Sequence, residues 1–222
     1  LPGQTLGRWK DNLSRVLALQ PKHISAYSLI VEEHTPLYSM VKSGTVKPPD
    51  ESTDAAMYET TITMLESHGF HHYEISNYAL PGFESRHNSN YWNHSNYLGF
   101  GPSAHSFWKH SSQDGKRWWN VRNVVQYCES LQSNTLPVAG EEKIQREHLL
   151  DEAIFLSLRC GELNAAMLQH CYGVDFLSRN KKQLQQFIAD HLLSVEGNRI
   201  RLTRKGFLMC DSIAESLVSA SV

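Results

Sequence analysis

Helix-like and strand-like patterns alternate through the segment that ends near Leu80, and this alternation limits the folds open to the chain. A helix is expected after Thr5, a typical N-cap residue, and another from about Ser52 to His68. His23–Val31 is rich in β-forming residues and apolar on both faces, as in a covered parallel sheet, and His72–Asn77 is a second short strand. Such alternation is typical of βα repeats, so we predict an α/β fold. The few repeats present cannot close a barrel alone, so we expect part of a βα barrel.

The composition changes after Pro137, where longer helical patterns replace the alternation. Glu141–Arg159 predicts a strong helix, and Leu193–Leu202 predicts a β-hairpin that turns at Gly197. Shorter helices are expected near Asn164–Cys171, across Phe176–Leu193, and from the N-cap Thr203 through Leu217. Helices combined with a hairpin indicate a winged-helix-like module. We therefore predict two domains, a barrel portion at residues 1–137 and a helical, winged-helix-like domain at residues 138–222, which makes the chain α+β overall.

Between these parts, Tyr78–Trp119 has no helical or strand periodicity and is rich in Gly, Asn, Ser, His and aromatic residues. Long irregular stretches of this kind are usually either functional or disordered. Eight of the 35 residues from Tyr73 to Phe107 are aromatic, whereas disordered segments are poor in aromatic residues. We therefore predict an ordered small-molecule site in Tyr73–Phe107, with irregular structure from Tyr78 to Trp119.

The segment Arg86–Trp92 combines a guanidinium, an imidazole, amides and two adjacent aromatic rings. The imidazole of His87 can serve as an axial ligand of haem iron, the aromatic rings can stack on a flat macrocycle, and Arg86 can pair with propionates. Two alternatives stay open on the residues alone. His87 and His94 could belong to a zinc site, although no third ligand is evident, or His87 could be an ordinary hydrogen-bonded core histidine.

Two further segments carry residues suited to ligand contact. Tyr73–Tyr78 places Glu74 and Ser76 on one face of a predicted parallel strand, near the end where α/β sheets and barrels bind ligands. In Leu98–Ser106, glycines such as Gly101 let the backbone approach a ligand closely. A dinucleotide loop is disfavoured, because a third glycine and a strand–loop–helix context are missing. The alternatives are a solvated or salt-bridged Glu74 and a turn that serves only the fold.

Composition argues against several classes of protein. The formal net charge is −2, and Asp175–Val222 holds seven Lys/Arg against five Asp/Glu without a basic recognition helix, so nucleic-acid binding is not expected. No stretch approaches the roughly 20 apolar residues of a membrane-spanning helix, so an integral membrane protein is not expected. The four cysteines are widely spaced without a C-x-x-C pair, which favours reduced thiols and a cytoplasmic location.

The chain begins at Leu1 without an initiator methionine, and Leu1–Thr5 has the character of a turn that leads directly into a helix. We therefore expect the sequence to be part of a longer polypeptide. The small number of βα repeats agrees with this expectation, because upstream repeats would supply the rest of a barrel.

An ordered set of segments resembles the HemW family of radical S-adenosylmethionine (SAM) proteins, which are relatives of oxygen-independent coproporphyrinogen III oxidase. The segments are Leu1–Thr5, His23–Glu32 followed by Thr35–Tyr38, Tyr73–Tyr78, Arg86–Trp92, Tyr97–Ser106 and Ile200–Gly206. Each motif alone is common, whereas the ordered set is specific and covers essentially the whole chain. The H-N-x-x-Y-W box, His87–Trp92, favours the HemW branch over the true oxidases.

The resemblance implies the C-terminal part of a partial, TIM-like radical SAM barrel followed by the winged-helix-like domain. It also implies SAM and a [4Fe-4S] cluster in the full-length protein, although the C-x-x-x-C-x-x-C cluster motif of the family is absent from this sequence. The residues expected to contact SAM are Ile30, Glu74, Gly101 and His105.

For the function, the resemblance implies a haem chaperone that binds haem and transfers it to acceptor proteins. The implied haem site comprises Arg86, His87, Asn88, Tyr91 and Trp92, with His87 as the ligand of the haem iron. The first alternative is an enzyme similar to oxygen-independent coproporphyrinogen III oxidase, which decarboxylates porphyrinogen propionates. The second alternative is a non-catalytic interaction domain. The expected partners are haem or a porphyrin and haem-acceptor proteins, with no nucleic acid.

Overall fold

The computed structural model describes residues 1–219, which form two compact units, Leu1–Ser85 and a second that begins at Arg86. The first unit contains α1 (Leu6–Ala18), β1 (His23–Ser25), α2 (Pro36–Lys42), α3 (Glu51–Glu66), β2 (His71–Glu74) and β3 (Asn77–Ala79). The second contains α4 (Arg86–Trp92), β4 (His105–Lys109), β5 (Asp114–Asn120), α5 (Val124–Gln132), β6 (Val138–Gln145), α6 (Arg146–Arg159), β7 (Glu162–Asn164), α7 (Ala165–Tyr172), α8 (Phe176–Arg179), α9 (Lys181–Ala189), β8 (Leu193–Glu196), β9 (Arg199–Leu202), α10 (Arg204–Leu208) and α11 (Cys210–Ser219). Among residues 1–219, no helix is both long and apolar enough to cross a bilayer. Residues 220–222 of the predicted second domain lie outside the described residues.

Polar side chains set the helix starts of the first unit. The hydroxyl of Thr5 accepts a hydrogen bond from the backbone N–H of Arg8 (3.3 Å), which confirms the predicted N-cap of α1. The carboxylate of Asp50 accepts from the backbone N–H of Thr53 (2.9 Å) and begins α3. The apolar faces of these helices pack on the sheet, and the buried core consists of Leu13, Ile24, Ile62, Leu65, Phe70 and Tyr78.

The sheet of the first unit is antiparallel, with strand order β1–β3–β2, and differs from the parallel sheet predicted from the sequence. The predicted strand His23–Val31 ends at Ser25. The predicted strand His72–Asn77 is interrupted by a turn at Ile75 and Ser76, after which β3 runs back beside β2. So short a connection can join only antiparallel neighbours, which is the physical reason for the difference. Within residues 1–219 every paired strand is antiparallel.

The second unit contains two three-stranded sheets, with strand orders β4–β5–β6 and β7–β9–β8. Helix α6 packs against α4, β5, β6, α7 and α11, so it is the central helix of this unit. Its buried residues are Leu149, Leu150, Ala153, Ile154 and Leu158. The predicted hairpin Leu193–Leu202 is confirmed as β8 and β9, and the hydroxyl of Thr203 accepts from the N–H of Gly206 (3.0 Å) at the start of α10.

Two predictions for the second unit are wrong. Tyr78–Trp119, predicted to be irregular, contains α4, β4 and most of β5. The predicted helix Glu141–Arg159 begins instead at Arg146, because residues 141–145 extend β6 and pair with β5. Local helix preference is weak, and pairing along a neighbouring strand overrides it here. The domain boundary between residues 137 and 138 stays a prediction; β6 begins at that position and pairs with β5, which precedes it.

The backbone of Gly206 lies very close to that of Leu192. We expect this close contact to control the stability of the hairpin region. A Cβ atom at this position would lie 1.9 Å from the carbonyl oxygen of Leu192. We expect Gly206→Ala to lower the free energy of unfolding by about 1–3 kcal/mol, because the backbone must move to relieve the clash. In urea titrations, the control Leu208→Ala, at a side chain that is 38% exposed, is expected to change stability by at most about 0.5 kcal/mol. Equal stabilities of Gly206→Ala and the wild type would contradict this account.

Candidate functional site

The segment Arg86–Trp92 forms the seven-residue helix α4 rather than an irregular loop. The ring of His87 is exposed and packs edge-on against Tyr91, one turn later, with 5.0 Å between ring centroids. Side chains four residues apart share one face of a helix, so the helical form places these rings together. The ring of Tyr91 lies 4.6 Å from that of Tyr97 and so continues the aromatic surface. The predicted histidine is therefore accessible and has an aromatic neighbour.

The other residues of the predicted haem site differ in burial. Arg86 is exposed and makes no ion pair with another residue among residues 1–219. Asn88 and Trp92 are half-buried. The indole N–H of Trp92 is buried and has no hydrogen-bond partner in the described part of the chain. A buried donor without a partner costs about 1–3 kcal/mol, so the indole N–H calls for an acceptor that these residues do not supply.

The histidine that follows the box has a different role. His94 is 8% exposed, and its Nε2 lies 2.9 Å from Oε2 of Glu152 on α6. The ring of His94 also stacks on Phe107, with 4.7 Å between centroids. In residues 1–219 no three His, Cys, Asp or Glu side chains are grouped to hold a metal ion, so the zinc alternative with His87 and His94 has no ligand set there. Residues 1–219 likewise contain no group of cysteine thiolates that could hold a [4Fe-4S] cluster, so they do not fit that cofactor.

An aromatic cavity of about 460 Å³ lies between α4, the β4–β6 sheet and α6. Its apolar walls are Tyr91, Tyr97, Phe107, Phe155 and Leu156, and its charged residues include Arg117, Glu142, Asp151 and Glu152. Cavities of about 300–1,000 Å³ with apolar walls and a few polar groups are typical of small-molecule sites. We name this space the aromatic cavity.

The carboxylate of Glu152 joins the walls of the aromatic cavity. Its Oε1 accepts a hydrogen bond from Arg117 of β5 (2.7 Å), while Oε2 contacts His94. Burial raises the pKa of Glu152, but the hydrogen bonds from His94 and Arg117 outweigh it, so the pKa lies below the ordinary value. Asp151, the neighbouring carboxyl, has a raised pKa because it is partly buried. Glu152 is thus held ionised in place, while Asp151 makes no ion pair within residues 1–219.

The four residues predicted to contact SAM are divided between the two units. In the first, Ile30 is 74% exposed, while Glu74 is fully buried and accepts a hydrogen bond from the N–H of Ser76 (3.2 Å). Burial raises the pKa of the Tyr78 phenol, and the charge of Glu74 adds to this effect. In the second unit, Gly101 has a φ of +105°, and His105 is exposed. Their assignment to SAM stays a prediction.

Local hydrogen bonds hold the predicted Gly-rich turn in place. The N–H of Gly101 donates to the hydroxyl of Tyr127 (3.0 Å), and its carbonyl accepts from the side chain of Asn120 (2.9 Å). The imidazole of His105 stacks on Trp119, with 5.8 Å between centroids. The polar backbone atoms of Gly101 are therefore engaged within the protein.

Sequence reasoning missed Arg117 and Glu152. Glu152 is separated from His94 by 58 residues and from Arg117 by 35 residues. Each residue belongs to a segment with an ordinary mixture of charges, so no local pattern marked either as part of a site. A weak signal was present in Trp118 and Trp119, aromatic residues on the strand that carries Arg117.

The chain is similar to a known domain family and to several named proteins. The HemN C-terminal domain family matches residues 144–209. A protein named heme chaperone HemW from Bacillus subtilis is 38% identical over 159 residues, which cover 72% of this chain and 41% of that protein. Heme chaperone HemW from Lactococcus lactis is 32% identical over 220 residues, which cover 98% of this chain and 56% of that protein. The chain thus spans about half the length of these relatives.

A relative and a solved structure extend this comparison. Radical S-adenosyl methionine domain-containing protein 1, mitochondrial, from Danio rerio is 30% identical over 231 residues, covering 98% of this chain and 51% of that protein. Coproporphyrinogen III oxidase (HemN) from Escherichia coli, described as a radical SAM enzyme, matches with a TM-score of 0.73 at 20% identity. The match covers 98% of this chain and 52% of that chain. This likeness confirms the predicted fold class, the C-terminal part of that architecture.

We expect the Glu152 carboxylate to stabilise the second unit in a pH-dependent way. At neutral pH, Glu152→Gln should lower the free energy of unfolding by about 1–3 kcal/mol, because charge-assisted hydrogen bonds are lost. Since the folded pKa lies below the ordinary 4.5, this contribution is complete above pH 4.5 and is lost as the pH falls through the folded pKa. The measurement is the unfolding free energy of both proteins between neutral and acidic pH.

A matched control is Glu142→Gln, because Glu142 lies 3.5 Å from the same guanidinium but its side chain is 50% exposed. This variant is expected to lose at most about 1 kcal/mol. Equal free energies of unfolding of wild type and Glu152→Gln at neutral pH would contradict this role of the carboxylate. So would a difference in unfolding free energy that grows below pH 4.5.

Proposed function

This chain is HemW-like, and we propose from that kinship and from its exposed box histidine that it is the haem-binding part of a haem chaperone. The relatives named heme chaperone HemW align with 72% to 98% of the chain. Because the chain spans about half of their length, haem transfer by the whole protein is part of the proposal.

The observation that carries the proposal is the position of His87. Its imidazole is exposed at the beginning of α4, next to the ring of Tyr91. An accessible neutral imidazole can bind iron, and aromatic rings beside it favour a flat macrocycle. Arg86, exposed and without an ion pair among residues 1–219, can pair with a propionate. The donor set therefore fits haem, and bound haem would supply the iron centre that an imidazole ligates.

The aromatic cavity supports the same proposal, because Tyr91 belongs both to the box and to the cavity wall. Aromatic side chains bury large areas at low conformational cost and suit planar ligands. Asn88 and Trp92 complete the proposed site on the same short helix. Haem-acceptor proteins are the proposed partners.

SAM and the [4Fe-4S] cluster enter the proposal through the family alone. Ile30, Glu74, Gly101 and His105 are the residues proposed to contact SAM. Residues 1–219 contain no ligand group for the cluster, so its ligands would be residues other than these. The cytoplasmic location predicted from the sequence also stays part of the proposal, since the relatives include bacterial proteins and proteins named as mitochondrial.

The two alternatives have weaker support. An enzyme similar to oxygen-independent coproporphyrinogen III oxidase rests on the structural match, which at 20% identity concerns the fold alone. A non-catalytic interaction domain agrees with the predicted winged-helix-like module, to which the β7–β9–β8 sheet would belong, but it does not account for the accessible histidine and aromatic cavity.

We expect His87→Ala to shift or remove the Soret band of haem added to the protein. The affinity for ferric haem should fall by about tenfold or more, because even the loss of a residue that only supports a metal ligand lowers metal affinity by that much. His170→Ala is the matched control, because His170 is an exposed histidine of the same unit on α7. The measurement is a spectrophotometric haem titration of the three proteins.

Unchanged spectra and affinity in His87→Ala would reject this residue as an iron ligand. Equal losses in His87→Ala and His170→Ala would indicate non-specific haem adsorption to surface histidines. Absence of haem binding by the wild type would overturn the proposed function itself.

A further inference from the structure

A second cavity, of about 610 Å³, is lined by residues of α4, β4, α6, β7 and α7, and we name it the donor cavity. Its lining includes Trp92, His94, Lys109, His110, Cys171 and Tyr172. His94 lines both the donor cavity and the aromatic cavity. The donor cavity therefore includes the last residue of the proposed haem box.

Two ring nitrogens of the donor cavity residues are buried without partners. Nε1 of Trp92 and Nδ1 of His94 have no hydrogen bond within residues 1–219. The indole nitrogen can only donate. The Nε2 of His94 faces a carboxylate and donates to it, so Nδ1 of the neutral ring, which is 8% exposed, is an unpaired acceptor, and Trp92 supplies the unpaired donor. Each unmet group is costly to bury, so a polar ligand in this cavity would stabilise the protein.

The charges around the donor cavity favour an anion. The ammonium of Lys109 makes no ion pair in the described part of the chain. The carboxylate in the lining, Glu162, is neutralised by Arg199 (3.3 Å) and Arg201 (2.7 Å). An indole N–H and an unpaired ammonium are both donors, and a carboxylate is the acceptor that suits them.

The aromatic cavity has the opposite preference. Glu142, Asp151 and Glu152 line it with Arg117, whose guanidinium is already paired with Glu152 and Glu142. A ligand carboxylate placed there would face uncompensated negative charge. The two cavities around His94 thus differ in the ligand groups that they accept.

We propose that the donor cavity binds a propionate carboxylate of the tetrapyrrole, with Trp92 as the hydrogen-bond donor and Lys109 as the ionic partner. This inference rests on the proposed function and deepens it. Trp92, assigned above to the haem site as an aromatic residue, then acts through its N–H. The ligand class becomes a tetrapyrrole that carries free carboxylates, and esterified tetrapyrroles are discriminated against.

The test compares mesoporphyrin IX, which carries propionates, with its dimethyl ester, which carries none, by quenching of porphyrin fluorescence. Neither probe contains iron, so ligation by His87 does not contribute. We expect the wild-type chain to bind the acid about tenfold more tightly than the ester, the effect of one charge-assisted hydrogen bond. Trp92→Phe, which keeps an aromatic ring but removes the N–H, should abolish most of this preference, so that acid and ester bind with similar affinities.

Lys109→Gln should reduce the preference similarly, and it provides a second test if Trp92→Phe does not fold. The control Lys116→Gln changes a lysine of the neighbouring strand that pairs with Glu141, and it should retain the preference. Equal binding of acid and ester by the wild type, or a preference retained in both Trp92→Phe and Lys109→Gln, would overturn the inference.

Two outcomes separate this inference from the proposed function. If neither porphyrin nor haem binds the wild type, the proposed function fails and the inference fails with it. If haem binds through His87 but acid and ester bind equally, the inference alone fails. Sodium propionate is added as a competitor, and displacement of mesoporphyrin by it at equal concentration would assign the cavity to small acids rather than to a tetrapyrrole.

Discussion

The carboxylate of Glu152 joins three parts of the second unit that are distant in sequence. It bonds to Arg117 of β5 and to His94, which follows α4, while its own backbone belongs to the central helix α6. A half-buried carboxylate is stable only when donors compensate for lost water, and here two side chains do so. Because His94 lines both cavities, the position of each depends on this interaction.

His94, which this interaction holds in place, lines two cavities of different chemical character. On the Glu152 side, aromatic rings and carboxylates form walls that suit an uncharged or cationic surface. In the donor cavity, the donors of Trp92 and Lys109 suit an anion. A tetrapyrrole has both kinds of surface, a planar apolar ring and propionates, so this distribution of polarity agrees with the proposed ligand. The exposed imidazole of His87 adds the group that such a ligand's iron requires.

Sequence patterns were most reliable where local chemistry decides the structure. Thr5 and Thr203 cap helices as predicted, and the hairpin Leu193–Leu202 forms with its turn at Gly197. The residues before Arg146 form a strand instead of a helix because β5 supplies hydrogen bonds, which no local pattern reveals. The antiparallel first sheet depends on a turn at Ile75 and Ser76, residues that also suit a continuous strand.

The candidate site also contains some features that local sequence predicts and others that only the fold reveals. The box Arg86–Trp92 is contiguous, so its residues were found from the sequence, although its helical form was not. Arg117 and Glu152 meet His94 only after folding, and a single sequence contains no record of that contact. The buried indole N–H of Trp92 and the unpartnered Nδ1 of His94 are likewise visible only once the walls of the donor cavity are known.

The most direct test of the central claim is pulsed electron paramagnetic resonance of ferric haem bound to the chain, with histidine labelled by ¹⁵N. Imidazole ligation by His87 predicts a ¹⁵N hyperfine coupling to the iron that is absent from the unlabelled protein. Cys128 is an exposed thiol of the same unit, and ligation by it instead would give a thiolate-type spectrum. A thiolate-type spectrum without any ¹⁵N coupling would contradict the account.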